Sequence, residues 1–211
     1  MKKRVGILIS GRGSNMRALV EAAKAPDYPA EIALILSNRP DAAGLDYART
    51  EGIPAAVVDH KPFRKDREGF ERTMQAALES HGVEIVALAG FMRLVTPWFV
   101  EQWHDRLINI HPALLPSFKG LDTHQRAIDA GVKLHGATVH LVRAEMDEGP
   151  ILMQGAVPVL PDDSEETLAA RVLAVEHRIY PQALALLCSD AVTVEGLRAK
   201  TPVADQPPLI A

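Results

Sequence analysis

Three residues in the second half of the chain have the types and spacing that proton-transfer chemistry needs. Asn109 and His111 flank Ile110 at the end of a short apolar run, just before Pro112. Residues two apart on a strand face the same side, so an amide donor and a protonatable imidazole project together. Aimed at one point, they suit an oxyanion that develops during a reaction. Pro112 fixes the chain beyond them, and Leu114-Leu115-Pro116 adds an apolar shoulder. Asp147, in the turn Asp147-Glu148-Gly149-Pro150, offers a carboxylate to orient the imidazole and face its charge. Each has a plainer reading: a histidine satisfied by the backbone, one of 8 in the chain, and an acidic turn. His111, His124, His135 and His140 show none of the ligand spacings of common zinc sites, so no metal is expected. A nucleophilic triad is not expected either, for want of a Gly-x-Ser-x-Gly elbow or a cysteine beside these residues.

A second group lies near the start. Ser10-Gly11-Arg12-Gly13-Ser14-Asn15 joins an apolar run to a helical pattern. Glycines there allow close backbone approach to a ligand, and free N–H groups at the helix start favour an anion. A dinucleotide fingerprint needs a third glycine where Met16 stands and an acid where Ser37-Asn38 stands. The Walker lysine is missing too. The loop therefore fits a single phosphate, with Ser14 and Asn15 adding side-chain hydrogen bonds; its plainer reading is a tight turn and cap. Gly90-Phe91-Met92-Arg93-Leu94-Val95 combines apolar groups with one cation, which suits an aromatic ring bearing carboxylates or, equally, core residues beside an exposed arginine. Glu176, His177 and Tyr180 fit a solvated helix face unless a substrate amine lies nearby.

These residues need a frame. Val5–Ser10, Ile32–Leu36, Ile53–Val58 and Val83–Ala89 read as strands, the last apolar on both faces as at the centre of a parallel sheet. Helical spacing covers Asn15–Ala25, Ala42–Thr50 and Asp66–Ser80. Thr96 caps a short helix from Pro97 to Trp103. Leu107–Ile110 is a brief strand and Asp122–Ala130 a helix. Gly136–Val142 and Ile151–Leu160 alternate as a β-ribbon, and Asp163 or Ser164 caps a long helix to about Leu187, interrupted at Pro181. From Ala199 the tail reads as an edge strand or an unstructured end. This alternation predicts an α/β fold: one doubly wound, mostly parallel sheet with a C-terminal β-ribbon and long helix.

Composition bounds the partners. The 211 residues carry 23 basic and 27 acidic side chains, a net charge of −4 that lacks the basic excess of a nucleic-acid binder. Behind Lys2-Lys3-Arg4 the apolar run is too short for a secretory signal, and Ile85–Met92 is far from a membrane span. Cys188 stands alone in an Ala/Leu-rich run and reads as a buried thiol. A cytoplasmic protein acting on something small is the expectation, with no nucleic acid and no membrane.

Six motifs in one order resemble the folate-dependent glycinamide ribonucleotide formyltransferases. They are Ile9-Ser10-Gly11-x-Gly13-Ser14-Asn15, Leu88-Ala89-Gly90-Phe91-Met92-Arg93, and Asn109-Ile110-His111-Pro112-x-Leu114-Leu115-Pro116. His135-Gly136-x-Thr138-Val139-His140, Asp147-x-Gly149-Pro150-Ile151 and Glu176-His177-x-x-Tyr180-Pro181 complete them, so residues 4 to 190 are covered. The resemblance implies one Rossmann-like catalytic domain over residues 1–211, its first half binding phosphate and ribonucleotide, its second half catalytic and folate-binding. It implies formyl transfer from 10-formyltetrahydrofolate, as cosubstrate, to the glycyl amine of a phosphoribosyl substrate in purine synthesis. By the same resemblance Gly13, Ser14 and Asn15 hold phosphate and ribose, and Glu176 the glycinamide. Arg67, Met92, Arg93, Leu94, Val95, Asn109 and the segment from Glu145 to Asp147 contact folate. Asn109 and protonated His111 stabilise the tetrahedral oxyanion, His111 serving as proton donor, and Asp147 helps relay a proton through water to the leaving nitrogen. Small-molecule substrates, no metal, no nucleotide cofactor and a monomer or homodimer complete the expectation. Asp122 stands where a histidine or small residue is expected, which takes any catalytic part from that position. Leu173, where some relatives present a polar group, is left outside the site.

Two relatives share the Asn-His-Asp chemistry. Methionyl-tRNA formyltransferase carries a C-terminal extension, whereas little more than 20 residues follow the last helix here. Formyltetrahydrofolate deformylase carries an N-terminal regulatory domain, whereas the first strand here begins within 5 residues. A non-catalytic sensor of a phosphorylated metabolite needs only the loop, and a dinucleotide reductase lacks its third glycine and acid.

Overall fold

The computed structural model describes residues 1–201, in two compact units, one spanning 1–108 and the other beginning at 109. In the first, β1 (Lys3–Ile9) pairs in parallel with β2 (Ala30–Ser37) and with β4 (Ile85–Leu88), and β2 pairs in parallel with β3 (Ala55–Val57). The order β3-β2-β1-β4 puts β1 inside the sheet, where both faces are covered. Its Val5, Ile7, Leu8 and Ile9 are accordingly fully buried. Helices α1 (Ser14–Ala23), α2 (Gly44–Thr50), α3 (Arg67–Ser80) and α4 (Pro97–Gln102) connect or follow these strands. The carboxyl ends of β1 and β4 open into the Gly11–Asn15 loop and the Gly90–Val95 segment, so one edge of the sheet presents both. Asp66 caps α3 by accepting the Gly69 N–H at 2.9 Å, and α4 has the cap that the sequence predicts, Thr96 with Pro97 at its first position.

β5 (Leu107–His111) carries the chain from the first unit into the second. There β6 (Leu134–Leu141) and β7 (Ile151–Pro158) form the expected antiparallel ribbon, with Thr138 opposite Gln154. α5 (Thr123–Asp129) precedes the ribbon, and α6 (Glu165–Cys188) follows it and packs on both strands. Ser164 and Thr167 close a capping box at the start of α6.

The class is the predicted one, mostly parallel α/β with a C-terminal ribbon and a long helix, but two details differ. α6 runs through Pro181 without interruption, because Ile179, Tyr180, Ala183 and Leu184 around it are buried and packing outweighs one lost backbone bond. The tail forms a small hairpin, β8 (Thr193–Glu195) and β9 (Arg198–Lys200), with β9 parallel to β7 where Ile151 faces Arg198. The rest of the tail lies outside the described residues. Among the described residues, no helix is long and apolar enough to cross a membrane.

Candidate active site

In the first unit a cavity of about 520 Å³ is lined by residues 10 to 15 together with Asn38, Arg39, His60, Gly90, Met92 and Arg93. Gly13 caps α1 at φ 69°, a left-handed conformation costly for any residue with a Cβ. This turn leaves the first N–H groups of α1 without helical partners, the arrangement that attracts an anion. Ser10 ties the loop to its neighbours: its hydroxyl donates to Asn38 Oδ1 at 2.6 Å and accepts the Met92 N–H at 2.8 Å. Beyond Met92 the segment is fastened to α3. Arg67 donates to the Leu94 carbonyl, and buried Glu71 accepts the Thr96 N–H at 2.6 Å and the Thr96 hydroxyl. Burial pushes the Glu71 carboxyl above the usual range, while those bonds pull it back. Arg93 lies over the Phe70 ring, 5.6 Å from its centre. Held at both ends, the segment leaves Met92 74% and Leu94 61% exposed, an apolar surface.

In the second unit β5 delivers Asn109 and His111, and the turn after β6 delivers Asp147. His111 Nδ1 stands 3.6 Å from Asp147 Oδ2, both side chains largely buried. The opposite nitrogen, Nε2, donates to the Phe118 carbonyl at 3.0 Å, so Nδ1 is the one left to exchange a proton beside the carboxylate. Asp147 sits at φ 56°, and its Oδ2 also accepts the Gly120 N–H at 2.9 Å. Buried Thr138 braces the chain after His111: its hydroxyl donates to the Ala113 carbonyl at 2.7 Å and accepts the Leu115 N–H at 3.0 Å. Gln154, across the ribbon, donates to that hydroxyl and to the Leu115 carbonyl. His124 and His135 stack edge to face, 5.3 Å between ring centres, and burial lowers both pKa values, that of His135 to about 4. Beside Asp147 a cavity of about 290 Å³ is lined by Leu115, Pro116, Lys119, Ile151 and Leu197 among others.

A proton-handling pair and a phosphate-sized loop are what the geometry offers. The model of the formyl transferase family matches residues 3–184. The chain belongs to the formyl transferase family. The phosphoribosylglycinamide formyltransferase of Haemophilus influenzae is 42% identical over 179 residues, which is 85% of this chain and 84% of that protein. The bovine trifunctional purine biosynthetic protein adenosine-3 is 47% identical over 191 residues, 90% of this chain but only 19% of that protein's length. The crystal structure of glycinamide ribonucleotide transformylase 1 from Symbiobacterium toebii superposes with a TM-score of 0.92 at 42% identity, covering 95% of this chain and 94% of that one. The fold and the family are therefore those of the formyl transferases.

Within this formyltransferase the predicted residues fall into two sets. His111 and Asp147 come together in the second unit, and Asn109 bonds a residue the sequence reading left without a role, His140. Gly13, Ser14 and Asn15 line one cavity with Met92 and Arg93, and Arg67 touches Leu94, all in the first unit. Val95 lies on the same segment. Glu176 is buried on α6, and its assignment rests on the motif alone. Sequence reasoning missed the brace formed by Thr138 and Gln154 and the anchor at Glu71. Alternation places Thr138 and His140 on one face of β6, a signal that was available; Glu71 contacts a residue 25 positions away and left none.

Proposed function

We propose that this formyltransferase moves the formyl group of 10-formyltetrahydrofolate to the amine of N1-(5-phosphoribosyl)glycinamide, giving the N-formyl product and tetrahydrofolate, a step of purine (IMP) biosynthesis in the cytoplasm. The observation that carries the reading is the buried His111–Asp147 pair at 3.6 Å, with Asn109 two residues before His111 on β5. The neutral amine attacks the formyl carbon, and the carbonyl oxygen becomes an oxyanion. Asn109 donates an amide hydrogen to it and the His111 imidazolium stabilises its charge. As the intermediate collapses the folate nitrogen leaves, and Asp147 passes it a proton through water while the amine gives one up, so the proton count closes.

On the same reading the phosphate rests on the backbone of Gly13, Ser14 and Asn15, and Glu176 binds the glycinamide end. Arg67, Met92, Arg93, Leu94 and Val95, with Asn109, contact the folate. Only small-molecule substrates are called for, without a metal. Product release from 10-formyltetrahydrofolate, measured with and without the ribonucleotide, tests the proposal. Tetrahydrofolate that appears only with the ribonucleotide supports it. Equal release without the acceptor points to hydrolysis instead, and no release in either case overturns formyl transfer.

A further inference from the structure

His140 lies at the end of β6, is 2% exposed, and has no part in the reaction as described above. Its Nδ1 is 3.0 Å from the Leu141 carbonyl oxygen. A carbonyl only accepts, so Nδ1 carries a hydrogen. Burial, the largest influence on this ring, holds its pKa below the ordinary value and keeps it neutral. A neutral imidazole with its hydrogen on Nδ1 has a bare lone pair on Nε2. Asn109 Nδ2 stands 3.4 Å from that lone pair, and an amide nitrogen only donates. Turning the amide over would set Oδ1 against the lone pair, so one orientation of Asn109 is favoured. Among the described residues this is the only hydrogen bond of the Asn109 side chain, which leaves its second N–H unclaimed.

The surroundings hold the ring in that state. Gly149 lets the Asp147 turn fold back onto the same carbonyl: a Cβ at Gly149 would stand 1.5 Å from Leu141 O and 3.4 Å from His140 Nδ1. The Leu141 N–H bonds the Pro150 carbonyl at 2.9 Å, closing the turn. Asp147 Oδ1 is 3.9 Å from His140 Nε2, too far for a hydrogen bond, so the carboxylate remains available to His111.

We infer that His140 is a positioning residue: as the Nδ1–H tautomer it accepts one amide hydrogen of Asn109 and so aims the other at the oxyanion. The inference rests on the formyl-transfer reading for its consequence, though not for its geometry. Removing the acceptor with His140→Phe is expected to lower kcat about 10- to 100-fold, somewhat less than deleting an oxyanion donor outright. KM for the ribonucleotide stays within about two-fold, since none of the residues assigned to that substrate is touched. Asn109→Ala is expected to cost about 100-fold. The double variant then matches Asn109→Ala alone, because His140 acts only through Asn109. His140→Gln, which restores an acceptor oxygen, recovers most of the lost turnover.

Losses that multiply in the double variant would overturn the inference. In the wild-type enzyme, nitrogen-15 NMR of the ring is expected to show protonated Nδ1 and bare Nε2. A bare Nδ1 or a doubly protonated ring would overturn it even if His140→Phe does not fold. Absence of formyl transfer by the wild type defeats the functional reading, while the NMR result still judges the positioning.

Discussion

On the proposed function, His111 and Asp147 are the residues on which turnover depends most directly. Replacing His111 by Ala removes both the cation opposite the oxyanion and the proton carrier. Such a group is worth about 10²- to 10⁴-fold, so kcat should fall by that order while the ribonucleotide KM barely moves. Asp147→Asn keeps an oxygen for the Gly120 N–H but removes the charge facing His111; a similar fall in kcat with an unchanged melting temperature is expected. A large loss of thermal stability in either variant would mark the residue as structural. Gly13→Ala tests the first unit: at φ 69° the added Cβ costs about 1–2 kcal/mol of stability and meets Met16 at 3.0 Å. Its kinetic signature is a raised ribonucleotide KM. The placement of Asn109 and His111 on one strand and of Asp147 in a turn was legible in the sequence because strand alternation and turn chemistry are local. His140 was not, because its role depends on a tautomer set by a carbonyl and on a turn that closes over it.

At the scale of elements, α3 acts as a splint for the segment after β4. Arg67 and Glu71 lie one helical turn apart on α3, and they hold Leu94 and Thr96. Glu71→Ala breaks two bonds to a buried carboxylate, worth about 1.5–3 kcal/mol each in other proteins, and frees the Thr96 end of the segment. Folate KM should rise severalfold while single-turnover chemistry at saturating folate stays near normal; a fall in that rate at unchanged KM would refute the splint. Sequence patterns showed the strands, the helices and the Thr96-Pro97 cap, all set by neighbours in the chain. They misjudged Pro181, where burial of the surrounding α6 residues decides the matter, and gave no hint of the clasp between α3 and the β4 segment.

Across the whole molecule, the proposed function divides the tasks by unit: phosphate loop and folate-facing segment up to residue 108, proton chemistry from 109 on. The second unit also holds four histidines, His124, His135, His140 and His177, that burial keeps below the ordinary 6.5. The unfolded chain therefore binds more protons than the folded one in mild acid, and stability must fall as pH drops from 6.5 towards about 4, the value for His135. Urea midpoints at pH 7.5 and 5.0 should show the loss, and His135→Gln should lessen it; equal slopes in variant and wild type would refute the assignment. The class of fold was legible because alternating β and α patterns leave few topologies; the β8–β9 hairpin was not, since a three-residue edge strand carries almost no periodicity. That hairpin has a practical consequence. Its tip residue Leu197 lines the cavity at Asp147, so an enzyme shortened to Ser189 would retain every residue assigned to chemistry and yet lose part of the cavity wall beside that carboxylate. Truncation mapping and the choice of which terminus bears an affinity tag should treat these last strands as part of that cavity's wall.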